Sequence, residues 1–431
     1  MQSRNRIVTA ALTLFMALPN TILAQSSSIN TFSPYTFYGI GDFNTPGTSC
    51  VRSMGGAGVA YRSGTQINYL NPASGSAMLR QSFLFNFGAE GANYYLKNRE
   101  TTSSYNSFNI NNIGIQFPVA RGIGFSMSVA PYSSVGYRVT KREENVKIVG
   151  GLGDVQYHYS GEGGITQAKA GFGVRVIPRL SLGAEMVYYF GNINHGYLNV
   201  ITRITGEGDH KTMSGTHEEQ ISRIFSNFGV QYDFIASPKR ILTAGATFQP
   251  GGKLKPKVTQ FLSSEGDTIS FSSFRSDFVM ASSLSAGVFF QTPKLGAGAD
   301  YMYQNWGGKN NENGSADPVR YVNTHSVRIG AQYTPDRNNI RYMLRRWTYR
   351  AGFRYNTYYM QLNKRQIDDK VITCGVGFPL RRGSLSELDL GLEFGQRGTT
   401  QKGLIRENYF KISIGLNLFG ADEWFMKRKY N

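Results

Sequence analysis

Apolar residues alternate with small or polar ones along most of this chain, in runs of about ten separated by turns. Ile113, Ile115 and Phe117 oppose Gly114 and Gln116, and Ile123, Phe125, Met127 and Val129 oppose Gly124, Ser126 and Ser128. The same period of two recurs over 168–176, 180–190, 227–234, 242–248, 284–290, 297–303, 327–333, 347–355, 372–378, 388–394 and 410–418. Such a period predicts strands with one face in lipid and the other in a polar interior, the pattern of a transmembrane antiparallel β-barrel. A first strand is expected over 81–97. Tight turns are expected near 118–122, 177–180, 236–240, 292–294, 335–346 and 379–384. Longer polar loops are expected near 98–105, 142–154, 204–216, 263–267, 306–321, 363–368 and 400–403. These connections join about 14 strands, an even number as bacterial barrels require. Short turns belong to the periplasm in such barrels, so both termini are expected there.

Two stretches break the alternation. Residues 48–77, TSCVRSMGGAGVAYRSGTQINYLNPASGSA, hold neither period. Gly55, Gly56 and Gly58 allow backbone geometries closed to other residues, and Asn71-Pro72 punctuates the end. The stretch lacks a linker's repetitive polar composition, and it reads as a plug packed inside the barrel. The second break is Pro131, followed by Tyr132 and Ser133, in the third strand. Proline removes a ladder donor, so it is confined to edges and bulges. The strand should therefore either bulge or leave a gap in the wall.

Ser53-Met54-Gly55-Gly56-Ala57-Gly58-Val59-Ala60, followed by Asn71-Pro72-Ala73, resembles the N-terminal hatch of the FadL/TodX outer-membrane transporters, in a Bacteroidetes-type form. The resemblance implies a luminal hatch over 25–80 carrying Gly55, Gly56, Gly58, Asn71, Pro72 and Ala73, and a barrel over 81–419. It also implies a lateral opening at Pro131, Tyr132 and Ser133, through which a hydrophobic ligand leaves into the membrane. The implied activity is passive uptake of hydrophobic molecules such as long-chain fatty acids, without cofactor. Tyr61-Arg62-Ser63-Gly64 stands where that family often carries an acidic residue. Two other readings stay open: a FadL-like structural or shuttle component of a secretion system, similar to PorV of the type IX machinery, and a general porin.

Arg4, Arg6 and the apolar stretch 7–18, with Ala24 before Gln25, read as a signal peptide over 1–24. Lys and Arg outnumber Asp and Glu by 46 to 28, a net charge of +18, and removing Arg4 and Arg6 leaves +16. An exported chain without a basic helix does not suit nucleic acid. The basic residues fall instead on turns: Arg179, Lys239-Arg240, Arg337, Arg341, Arg345-Arg346 and Arg381-Arg382. A tail over 420–431 adds Lys427-Arg428-Lys429. Anionic headgroups of outer-membrane lipid, or a periplasmic protein partner, would suit that side. Lys169, Arg175, Glu185, Asp233, Asp300, Arg328, Arg350, Arg354, Glu387, Asp389, Glu393 and Lys411 fall on the lumen phase and are expected to pair with one another or with the plug. Cys50 and Cys374 lie on different faces, so no disulfide is expected between them. None of His158, His195, His210, His217 and His325 stands in a catalytic or metal-binding motif, and Glu207-Gly208-Asp209-His210 does not match a calcium loop. No enzyme and no metal site is expected.

Overall fold

The computed structural model describes residues 31–202, 212–264, 267–275, 277–310, 319–381 and 383–420. The expected signal peptide, the 207–210 loop, Arg382 and the tail from 421 lie outside the described residues. Fourteen strands follow in chain order. The first six are β1 (Phe83–Lys97), β2 (Thr102–Ala120), β3 (Ile123–Arg142), β4 (Asp154–Ile177), β5 (Leu180–Thr202) and β6 (Thr212–Ala236). Two bent strands come next: β7 (Ile241–Gln249, Lys257–Ser264) and β8 (Asp267–Arg275, Ser282–Gln291). The last six are β9 (Leu295–Asn305), β10 (Val319–Tyr321, Thr324–Tyr333), β11 (Thr348–Leu362), β12 (Arg365–Pro379), β13 (Glu387–Arg397) and β14 (Arg406–Gly420). Each pairs antiparallel with the next, and β14 returns to β1 from Phe83↔Gly420 to Lys97↔Arg406. The ring is closed, as the spacing of the alternating runs predicts.

The strands are longer than expected on one side. β4, β5 and β6 contain 24, 23 and 25 residues, where about 9–11 cross a bilayer. Their hairpins extend at the end away from the start of β1. Polar stretches that read as loops are therefore ladder. Pairing reaches Lys97↔Thr102, Ser264↔Asp267 and Leu362↔Arg365, so the long loops expected near 98–105, 263–267 and 363–368 reduce to a few residues. The reverse error occurs at 335–346. The expected tight turn is a loop from 334 to 347 that contains a 3-10 turn at Met343–Arg346.

The outward face is apolar and the inward face polar. On β14, Ile414 is 50% exposed and Ser413 1% exposed. Both sit in ladder pairs, Ile414 with Leu390 and Ser413 with Gly391, so only the side chains distinguish them. Ile414→Arg should cost about 2–4 kcal/mol near the bilayer midplane, and Ser413→Arg, aimed at a polar interior, should cost less. Urea titration of the barrel refolded into liposomes checks this. Equal losses in the two variants would refute the assigned phase.

Candidate functional site

Residues 48–77 touch strands all the way round the ring. Thr48 precedes one helical turn, Ser49–Arg52, after which Gly55 (φ +68°) and Gly56 (φ +84°) turn the chain through the left-handed region. Gly55 N–H donates to Thr373 Oγ1 at 2.9 Å on β12, and Gly58 and Val59 N–H both donate to Asp300 Oδ2 on β9, at 2.5 and 2.8 Å. Asn71 is the hub of the far half. Its Oδ1 accepts from Ala73 N–H at 3.0 Å, capping the 3-10 turn Pro72–Ala77, whose Pro72 needs no donor there. Its Nδ2 donates to Val59 O at 2.9 Å within the segment and to Val230 O at 3.1 Å on β6. The wall makes room for this segment with glycines paired across strands, Gly124↔Gly173↔Gly183↔Gly229 and Gly330↔Gly352. A Cβ at Gly330, Gly352 or Gly183 would collide with the backbone of Met54, Gly55 or Ala73.

Charges hold the segment to the wall. Arg52, in the helical turn, donates to Glu90 on β1 and to Glu393 on β13 at 3.0 Å. Burial opposes the Arg52 charge, but the two carboxylates outweigh it and hold its pKa above the ordinary arginine value. Arg354 shares Glu393 at 3.1 Å, and Lys411 reaches Glu90 at 3.5 Å. Arg350 bridges Glu387 (2.8 Å) and Asp389 (2.5 Å), and Gln66 donates to Glu387 at 3.0 Å. Arg62 pairs with Asp233 at 3.0 Å, Lys169 with Glu185 at 3.2 Å, and Arg175 donates to Ser76 O at 3.2 Å. Of the expected lumen charges, Arg175, Asp300 and Arg328 lack an ion pair among the described residues; the first two bond to backbone groups of the segment, and Arg328 does not. It donates to Ser326 Oγ at 3.1 Å and lies across the ladder from Arg354.

A second layer, left unassigned in the sequence, fills the lumen further from the barrel's start. Residues 31–44 pack aromatic side chains against the far halves of the strands. Phe43 stacks on Trp306 at 5.7 Å and lies 4.7 Å from the Tyr359 ring, and Tyr35 O–H donates to Ile405 O. Arg397 anchors this layer through Asp42 at 2.6 Å. Between the layers lies a cavity of about 210 Å³ with an aromatic roof (Phe43, Tyr132, Tyr189, Tyr359) and a floor of mixed charge (Arg328, Arg354, Lys169 and Lys411, with Glu90). A smaller hollow lined by Thr45, Asn111, Ala130 and Pro131 shares Gln167 and Lys169 with it.

Pro131 lies where the wall changes partner. β2 and β3 pair from Ala120↔Ile123 to Ile113↔Val129, and no ladder pair joins them beyond that point among the described residues. The register against β4 slips between Pro131↔Thr166 and Ser133↔Ile165, leaving Tyr132 as a bulge. Opposite it Gly164 has φ +152°, and a Cβ there would strike Ser133 O. Beyond the bulge five consecutive residues, 133–137, are buried, whereas a wall strand alternates. The N-terminal segment supplies the partners that β2 gives up. Asp42–Phe43 pairs with Ser134 and Ser133, and Ser33 and Asn44 N–H donate to Gly136 O and Tyr132 O, each at 2.9 Å. A bulge thus starts the departure of β3 from β2.

Arg52, Glu90, Arg397, Asp42 and Glu407 were missed in the sequence. The wall residues Glu90, Arg397 and Glu407 share the lumen phase of their strands and were legible from it; Arg52 and Asp42 sit in segments with no period. Arg179, Lys239, Arg240, Arg337, Arg341, Arg345, Arg346 and Arg381 lie on the connections at the end where the barrel starts and finishes. Cys50 is buried and Cys374 exposed, and both are free. No metal-holding group of His, Cys, Asp and Glu occurs among the described residues.

The BamG family model matches residues 5–431. No curated protein matches significantly. The chain is similar in structure to the CymD monoaromatic hydrocarbon channel, with a TM-score of 0.57 and 16% identity over 88% of this chain and 100% of that one. It is also similar to the Pseudomonas putida toluene transporter TodX (0.55, 16%, 89% and 99%) and to a Pseudomonas aeruginosa FadL homologue (0.56, 13%, 88% and 99%). At these identities the likeness establishes a shared fold.

Proposed function

The chain belongs to the BamG family, and from this architecture we propose that it is an outer-membrane channel for passive passage of hydrophobic molecules. Residues 48–77 act as the hatch, both termini of the chain face the periplasm, and the ligand leaves sideways beside Pro131, Tyr132 and Ser133. The observation that carries the reading is the end of the β2–β3 ladder at Ile113↔Val129. An unpaired backbone group in hydrocarbon costs several kcal/mol, so a wall is opened only where another partner takes the freed groups. Asp42, Phe43, Ser33 and Asn44 do so for β3, and the small hollow at Pro131 lies beside the main cavity. Solved relatives named as a monoaromatic hydrocarbon channel and a toluene transporter support an apolar cargo. The cavity supports an amphipathic one such as a long-chain fatty acid, whose carboxylate suits the Arg328–Arg354 floor and whose chain suits the aromatic roof. No proton transfer or cofactor enters the mechanism: the ligand binds, the hatch shifts, and release is lateral.

Uptake of a labelled long-chain fatty acid by a deletion strain, complemented with the intact chain or with Pro131→Val, tests it. Valine restores the N–H that proline lacks and favours re-pairing of β3 with β2. The variant should be at least as heat-resistant in detergent and take up several-fold less ligand than the intact chain. Unchanged uptake would remove Pro131 from the exit route. Failure of the intact chain to restore uptake of either a fatty acid or toluene would overturn the transport reading itself.

A further inference from the structure

The loop from 334 to 347 exposes four large apolar side chains within five residues: Ile340 (75%), Tyr342, Met343 and Leu344. A run of that kind on a folded surface marks a contact with something apolar. The loop is also shaped in advance. Asn339 Oδ1 accepts from Arg341 and Tyr342 N–H at 3.1 and 2.8 Å, and Asp336 N–H donates to Arg345 O at 2.8 Å. Its apolar part leans on the outer wall, where Tyr349, an outward residue of β11, donates its O–H to Leu344 O at 3.1 Å, while Arg337 near its start reaches the lumen-facing Glu387 at 3.8 Å. Trp347, on the same outward phase, meets Phe378 edge-on at 4.6 Å, and its indole N–H has no acceptor among the described residues. Arg341 and Arg345 are exposed among these apolar groups, with the Arg345 guanidinium 5.3 Å from the Tyr342 ring.

We infer that this loop is a phospholipid-binding anchor, which inserts Ile340, Met343 and Leu344 beneath the headgroups and holds anionic phosphates with Arg341, Arg345 and Arg346. Apolar side chains continuous with the lipid-facing wall, an aromatic pair at the rim and arginines whose stems reach back to water are what a bilayer interface rewards. A protein partner would need none of the tether to Tyr349. The inference rests on the barrel's membrane setting and not on its cargo.

The test uses the full chain in vesicles of mixed phosphatidylglycerol and phosphatidylcholine, with bromine on the acyl chains of one lipid or the other, and follows tryptophan quenching. Trp347→Phe isolates the share of that residue. Brominated phosphatidylglycerol should quench Trp347 more strongly than brominated phosphatidylcholine. Arg341→Gln with Arg345→Gln and Arg346→Gln should lower that preference about a hundredfold, since each of the three charges near an anionic surface is worth about fivefold. Met343→Ser with Leu344→Ser should reduce quenching by both lipids. Equal quenching by the two lipids in the intact chain, or an unchanged preference in the arginine variant, would overturn the inference. Fatty acid uptake should stay unchanged in these variants, which separates a failure of the anchor from a failure of the transport reading.

Discussion

Deletion of residues 31–77 should leave a barrel that still closes but conducts small ions, where the intact chain is tight. The ladder from Phe83↔Gly420 round to Glu387↔Asn417 contains none of these residues; only the far part of β3, at Ser133 and Ser134, pairs with them, so closure of the ring does not need them. Their removal frees a lumen lined by Glu90, Arg350, Glu387, Asp389, Glu393 and Lys411, all of which water solvates readily. A barrel of eight strands is filled by its own side chains and one of 16–18 holds an aqueous channel, so 14 strands need a filler to stay closed. Deleting 48–77 alone should give a smaller conductance, because Phe43, Trp306 and Tyr359 form a second layer further along. Planar-bilayer recording measures both. A folded 31–77 deletion as tight as the intact chain would show that the wall seals itself and that neither layer is the plug.

The wall was legible in the sequence because it depends on a period of two. Ile412, Ile414 and Leu418 face out and Lys411, Ser413 and Asn417 face in, with no information needed beyond their neighbours in sequence. Where pairing continues beyond the membrane the outward face loses its apolar bias, and β4 to β6 read shorter than they are. The lumen was legible only in part. Lys169, Glu185, Arg350 and Glu393 follow the strand phase, so their direction is readable, but their partners are set by a segment with no period. Arg52 meets Glu90 and Glu393 across separations of 38 and 341 residues, and Asp42 meets Arg397 across 355. The wall glycines were countable, but their role emerges from cross-strand register: Gly330 and Gly352 face the Met54–Gly55 backbone only because β10 and β11 align them. Pro131 announced a fault in β3. That residues 42–43 take over as its partner is a contact across 90 residues, and no local pattern carries it.

Arg52→Met should be the most damaging single substitution within residues 48–77. Arg52 is 2% exposed, and it reaches two carboxylates on separate strands, Glu90 on β1 and Glu393 on β13, with β14 between them. Methionine fills a similar volume, so the loss is electrostatic. Removing one partner of a buried ion pair typically costs about 3–5 kcal/mol, since the charge left behind is neither paired nor hydrated. Lys411 and Arg354 remain beside Glu90 and Glu393, at 3.5 and 3.1 Å, which places the expected loss near the low end, about 3 kcal/mol. The ladder is untouched, so the barrel stays closed. What is lost is docking of residues 48–77, read as faster proteolysis within the segment and as ion leakage across a planar bilayer. Arg52→Lys should recover only part of it, because one nitrogen, Nη2, already meets both carboxylates, but an ammonium lacks the second bond that Nε makes to Glu393 at 3.1 Å. Adding Glu90→Gln to Arg52→Met should recover part of the docking by removing one stranded charge. Equal protease resistance in Arg52→Met and the intact chain would mean that the backbone bonds of Gly55 and Gly58 and the side-chain amide of Asn71 hold the segment alone.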